Sequence, residues 1–275
     1  MDSQVKEVGA VAIMKDCPRS LTDEQWNVIE KKLLPKRAKV GRPPVDRRTI
    51  LDAILYLNRT GCQWRSLPRE FPQWKTVYTV FWRWRQDGVW NSLHEALCRK
   101  VRQAAGKKPT PSVAIIDSQS IRTAEGGAER GYDAGKKGTG GKRHIAVDSL
   151  GLIWGVVVHA ASWQDQDGAC YLLHKLEPFG RLRRIFADSA HGRDGLPKWV
   201  KEPFGWILQT ILRPPNTSGF VVLPKRWIVE RTFAWLARHR RHSKDYEHNP
   251  ETSEAMIQIS MIGLMTRRLA NQNWV

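Results

Sequence analysis

The chain has 275 residues, 41% of them hydrophobic, with 45 Lys and Arg against 27 Asp and Glu for a formal net charge of +18. That length and apolar share bury a real core in one large or two smaller domains, and the charge favours a phosphate backbone as partner over a small acidic molecule. Cys17, Cys62, Cys98 and Cys170 stand far apart with no C-x-x-C pair, which argues against a zinc knuckle or disulfide framework and for reduced thiols in a cytoplasmic protein. No apolar run nears the ~20 residues of a membrane span, and no signal-peptide pattern opens the sequence.

Residues 1–105 carry 20 basic and 11 acidic side chains, and the remainder supplies an equal excess, so both halves are suited to touch nucleic acid. Residues 1–19 are weakly patterned and read as a flexible lead-in. Thr22 and Gln25 form a capping box ahead of Trp26, Ile29 and Leu33, which predicts a helix ending at Pro35. The basic Pro/Gly stretch 35–44 reads either as a strap that lays Arg42 into a minor groove or as an ordinary solvated linker. Asp46 caps a second helix with Ile50, Leu51, Ile54 and Leu55 inward and Gly61 as its stop. A third covers residues 75–86, with Val77, Val80, Phe81 and Trp84 inward and Lys75, Arg83 and Arg85 outward. These two resemble a helix-turn-helix with a basic second helix. Trp82, Trp84 and Trp90 read as core in preference to base-stacking platforms. A further helix runs to about residue 103, and the polar stretch 104–111 marks a boundary, giving a small all-α domain over 20–105 and a second domain over 112–270.

The second half changes period. Residues 112–116 are a short apolar run ending in Asp117, followed by a Gly-rich basic loop over 125–142 and a hairpin of strands 143–148 and 152–160. A helix is expected from Asp165, a strand at 184–187 ending in Asp188, a helix at 196–201, a strand at 206–212, and then the helix bearing Glu230. This order is that of a mixed α/β sheet covered by helices.

Asp117 and Asp188 each end a buried run, the place where ligands gather in open α/β sheets. Glu230 is a lone carboxylate on a helix rich in arginine, sharing a face with Arg226 and Arg241 and flanked by Arg238, while Val229, Phe233 and Leu236 form an apolar face. If the three converge, their hard oxygens suit Mg or Mn, and two ions ~3.5–4 Å apart would serve an in-line displacement at a phosphodiester. Taken singly, each aspartate also reads as a turn former and Glu230 as the partner of Arg226 four residues earlier. Asp194 competes with Asp188 for the second position, and Asp165 and Asp167 read as helix caps.

Four segments carry a resemblance: Ile116-Asp-Ser-Gln-Ser-Ile-Arg-Thr123, Lys142-Arg-His-Ile-Ala-Val-Asp148, Phe186-Ala-Asp-Ser-Ala-His-Gly192 and Arg226-Trp-Ile-Val-Glu-Arg-Thr-Phe-Ala-Trp-Leu236. In this order they resemble the DDE transposases of the fifth bacterial insertion-sequence family, over about residues 21–269. The resemblance extends to Gly61-Cys-Gln-Trp-Arg-Ser-Leu-Pro68 and Thr76-Val-Tyr-Thr-Val-Phe-Trp-Arg-Trp84 in the helical module. It implies an RNase H-like α/β core, with Asp117, Asp188 and Glu230 as the metal-binding catalytic triad. Related families place a Tyr and a Lys around the Arg and Glu of the last motif. Here Leu223 and Ala237 hold those positions, with Arg238 next to the second, and His191 stands where a Tyr is common and is a possible accessory residue.

The resemblance implies a transposase that binds insertion-sequence ends, cuts them with Mg or Mn, and transfers the freed 3′-hydroxyl into target DNA. No nucleoside triphosphate is needed, and no P-loop is present in the sequence. The expected DNA contacts are Arg42, Arg83, Arg85, Lys136, Lys137, Lys142, Arg143, Arg226, Arg238 and Arg241. Double-stranded DNA, as terminal repeats and as target, is the expected partner, with a homodimer or larger assembly in the DNA complex. The alternatives are a metal-dependent endonuclease of the same fold and a non-catalytic DNA-binding regulator derived from a transposase.

Overall fold

The computed structural model describes residues 20–33, 45–124, 130–135, 137–188, 195–211 and 225–271. Arg42, Lys136, His191, Asp194, the lead-in 1–19 and the strap 35–44 lie outside them. Two compact units are present. One takes the chain up to Leu97 with His239–Arg241 and the segment from Gln258, and the other takes Cys98–Arg238 and His242–Ile257.

In the first unit, Thr22 and Gln25 cap α1 (Asp23–Leu33) reciprocally, at 3.3 Å from the Gln25 amide to the Thr22 hydroxyl and 3.4 Å in return. Asp46 accepts from the Arg48 and Thr49 amides to start α2 (Arg47–Thr60), which stops at Gly61 with φ 72°. Any other residue there would be strained, and a Cβ would lie 3.0 Å from Arg240 Cβ. The next helices are α3 (Trp74–Gln86) and α4 (Val89–Ala104). Val77, Phe81, Trp84 and Trp90 are buried with Ile50, Leu51, Ile54 and Leu57. Trp82 departs from the expectation: it is 46% exposed, on the same outer stripe as Tyr78 at 41%. The reason is helical spacing, since the position after Phe81 faces away from a core already filled by Val77, Phe81 and Trp84.

The sequence reading misses one long helix, α8 (Pro250–Asn271). Its later half completes the first unit: the Ser260 hydroxyl donates to buried Asn58 at 2.8 Å, and Gly263 lies against Leu55.

The second unit holds β1 (Val113–Ile121), β2 (Gly131–Asp133), β3 (Gly138–Val147), β4 (Ile153–Ala160), α5 (Asp165–Leu176), β5 (Arg184–Ala187), α6 (Leu196–Phe204), β6 (Ile207–Thr210) and α7 (Arg226–Ala237). The strands run β4-β3-β1-β5-β6 across one sheet, with β2 paired to the first residues of β3. β1, β3 and β4 are antiparallel, whereas β5 and β6 continue parallel to β1. Parallel neighbours need crossovers, which α5 and α6 supply. β2 lies inside the stretch expected to be a Gly-rich loop.

Candidate active site

The register between β1 and β5 pairs Val113 with Arg184, Ala114 with Ile185 and Ile115 with Phe186. The same offset, carried two residues past the last pair, sets Asp117 level with Asp188 on the neighbouring segment. Asp188 follows β5 directly, as expected. Asp117 does not end its strand: β1 runs on to Ile121, paired with β3 through Ile121 and Gly141. Only its pairing with β5 stops before Asp117, so the carboxylate stands where the sheet opens on one side.

α7 packs on β1 and β3. Ile228, Val229, Thr232 and Leu236 form its buried face. The Thr232 hydroxyl donates to the Gly151 carbonyl at 3.0 Å, and Arg231 reaches the Leu150 carbonyl at 3.4 Å, which ties the helix to the β3–β4 turn. Gly151 has φ 77°, and a Cβ there would meet the Trp235 ring at 2.8 Å, so this close approach requires glycine. Glu230 faces away from that contact, with its side chain 50% exposed.

Arg226 joins two of the three carboxylates. One terminal nitrogen lies 3.9 Å from Asp117 Oδ2 and 3.9 Å from Glu230 Oε1. Both distances are ion pairs too long for hydrogen bonds, and the Arg226 Nε is buried without a hydrogen-bond partner. The guanidinium therefore balances charge without being locked in place. The oxygen donors of Asp117, Asp188 and Glu230 match the chemistry of a small hard dication, and Asp117 and Glu230 already share a cation in Arg226. Among the described residues, no three His, Cys, Asp or Glu side chains stand close enough to enclose a metal ion.

Several expected DNA contacts are corrected. Lys142 and Arg143 are buried because β3 is the interior strand between β1 and β4. Lys142 bonds the Trp163 carbonyl at 2.9 Å and pairs with Asp165 at 3.1 Å. Arg143 donates to the His242 carbonyl at 2.7 Å, and burial lowers its pKa to about 10. Arg241 is also buried, donating to the Cys62 carbonyl at 3.2 Å, and α7 ends at Ala237, so the ridge expected to run from Arg226 to Arg241 on one helix does not form. Arg238 is exposed just past that end; Lys137 and Arg83 are exposed and Arg85 is half-buried. Asp165 is not a cap: it accepts from the Ser118 hydroxyl at 3.0 Å and pairs with Lys142. Sequence reasoning missed this support behind Asp117, although Lys142-Arg143 adjoins an unbroken apolar strand run that signals burial.

Residues 108–265, more than half of the chain, match the family model described as "Transposase DDE domain". The chain belongs to the DDE transposases. Residues 21–94 match a second model, described as "Putative transposase of IS4/5 family". An insertion element IS402 uncharacterized 16.2 kDa protein of Burkholderia cepacia is 38% identical over 119 residues, which is 40% of this chain and 78% of that protein. Uncharacterized protein y4sN of Sinorhizobium fredii is 34% identical over 86 residues, 31% of this chain and 67% of that protein. For a DDE transposase, three antiparallel strands continued by two parallel ones form the RNase H-like core. Among the described residues, no helix of this transposase is long and apolar enough to cross a membrane.

Proposed function

We propose that this transposase binds the ends of an insertion sequence, cuts them to free a 3′-hydroxyl, and transfers that hydroxyl to a target phosphodiester, with Asp117, Asp188 and Glu230 as its catalytic carboxylates. The observation that carries this reading is the β1–β5 register, which sets Asp117 level with Asp188 while α7 brings Glu230 to the same guanidinium as Asp117. Asp117, Asp188 and Glu230 would hold Mg or Mn, which would activate the attacking oxygen and stabilise the leaving one. The chain's own residues do the rest. Arg226 neutralises the carboxylates and, because its contacts are long, is able to turn toward an incoming phosphate. Arg238, exposed at the end of α7, takes the place of the Lys that Ala237 replaces.

The helical segment 20–105 is assigned the reading of terminal repeats, and 112–270 the chemistry. On α3 the outer stripe of Lys75, Tyr78, Thr79, Trp82 and Arg83 is exposed, which combines phosphate-pairing cations with groups able to meet base edges. Two DNA ends acted on together call for at least a dimer on DNA. The test is to map the strand termini on a labelled terminal-repeat duplex in Mg. A 3′-hydroxyl at the element boundary is the expected product, and random nicks with no boundary product would contradict the reading.

A further inference from the structure

The loop between α4 and β1 is pinned from beneath by a buried cation. Arg102 pairs with Asp148, which is fully buried, and the Asp148 carboxylate also accepts from the Leu150 and Leu152 amides and the Trp154 indole. The same guanidinium donates to the Lys108 carbonyl at 2.8 Å and the Thr110 carbonyl at 3.4 Å. The Lys107 amide closes on the Arg102 carbonyl at 2.8 Å, and Arg181 reaches the Thr110 carbonyl at 3.2 Å from another segment.

The pinned loop holds Lys107 and Lys108 at the wall of a cavity of about 360 Å³ that Arg181 and Lys225 also line. These four cations come from three stretches of chain and are all exposed. Among the described residues none of them has a carboxylate partner, and the Lys225 ammonium lies over the Phe186 ring, 3.6 Å from its centroid. Fixing like charges around one hollow is unfavourable unless an anion enters it. Ile115 and Ile228 form part of the lining. They lie two residues before Asp117 on β1, ~7 Å along the strand, and two before Glu230 on α7.

We infer that this basic hollow is a second phosphate subsite, which holds the backbone of the DNA strand on the side of the carboxylates toward the start of β1. The inference rests on the reading of Asp117, Asp188 and Glu230 as catalytic. A free nucleotide or pyrophosphate offers the same oxyanions, but a lining continuous with β1 and α7 beside the carboxylates fits a strand that passes through both places.

The test titrates the full chain against a short fluorescein-labelled duplex by anisotropy, over roughly 50 to 200 mM salt. Lys107→Ala/Lys108→Ala is compared with wild type, with Lys225→Ala from a separate segment, and with Lys198→Ala/Lys201→Ala on α6. The hollow variants are expected to lower the slope of log affinity against log salt by about 0.9 per lost contact, with the thermal midpoint unchanged, while the α6 pair leaves the slope as it was. An unchanged slope in both hollow variants, or an equal fall in the α6 pair, overturns the inference. Calorimetric binding of sodium pyrophosphate that is lost in the hollow variants while their duplex slope stays intact assigns the site to a free phosphate compound, and also overturns it. Cutting of the same duplex by Asp117→Asn is read in parallel. Activity there sinks the catalytic reading alone, because the salt slope is decided independently of it.

Discussion

Arg226 decides at the residue scale whether the positive end of α7 serves DNA or only structure. Its two ion pairs at 3.9 Å are longer than hydrogen bonds and leave its donors available. Arg226→Gln is therefore expected to weaken binding to all DNA sequences and to lower the salt slope by roughly one. A fall in thermal midpoint with no change in slope would assign Arg226 to structure instead. Two buried imidazoles set a different prediction. The pKa values of His94 and His239 are both lowered to about 4, first by burial and, for His239, also by Arg59 and Arg267. A lowered base binds fewer protons folded than unfolded, so between about 4 and 6.5 stability rises with pH and is lost on acidification. Asp52 opposes them: burial raises it to about 6, so across 3.8 to about 6 its contribution falls as pH rises. Two groups against one leave a net loss in acid, and each histidine is worth up to about 3 kcal/mol at ~1.4 kcal/mol per pH unit. Melting across this window should show the helical unit weakening as pH falls, with a shallower dependence in His94→Gln. Greater stability at the acid end would contradict the assignment.

Among the elements, the turn between β3 and β4 and the helix crossing above them are the most tightly specified. Removing one partner from the buried Arg102–Asp148 pair leaves the other charge without compensation, so Asp148→Ala is expected to cost about 3–5 kcal/mol in urea unfolding. A loss under about 1 kcal/mol would mean that water replaces the carboxylate. Gly168 on α5 lies over the stacked rings of His144 and His159, and a Cβ there would come within 2.4 Å of both Nε2 atoms. Gly168→Ala should therefore destabilise by about 1–3 kcal/mol through overpacking, read as a lower urea midpoint. Most elements were legible in the sequence because their signals are local: the Thr22–Gln25 box, the Asp46 cap, the stop at Gly61 and the apolar runs before Asp117 and Asp188. What escaped was set by distant neighbours. Lys142 and Arg143 look like a basic loop end until β1 and β4 enclose them, and Trp82 looks like core until Phe81 and Trp84 have taken the inner positions. The later half of α8 shows no clear amphipathic stripe in sequence, since residues around its axis are buried. The three carboxylates were selected from sequence, but the pairing of Asp117 with Arg226 depends on a strand and a helix more than a hundred residues apart and has no local signature.

At the scale of the whole molecule, the unit that carries α3 is not continuous in sequence. Asn58 and Leu55 are covered by Ser260 and Gly263 of α8, and Gln258 of the same helix donates to Asn91 at the surface. A chain ending at Ile257 should therefore expose that core and lose cooperative unfolding of the helical unit, seen as rapid amide exchange in α2 and α4. Wild-type protection there would show that the N-terminal helices stand alone. The sheet unit carries the central claim, that Asp117, Asp188 and Glu230 together perform metal-dependent cutting and joining. Its most direct measurement is the joining of a labelled terminal-repeat end to supercoiled plasmid in Mg, run with the full-length wild type and with Asp117→Asn, Asp188→Asn and Glu230→Gln. Joints from the wild type and none from the three variants, which still bind the labelled end, are the expected result; joining by any of the three at the wild-type rate, or cutting by the wild type without joining, would contradict it.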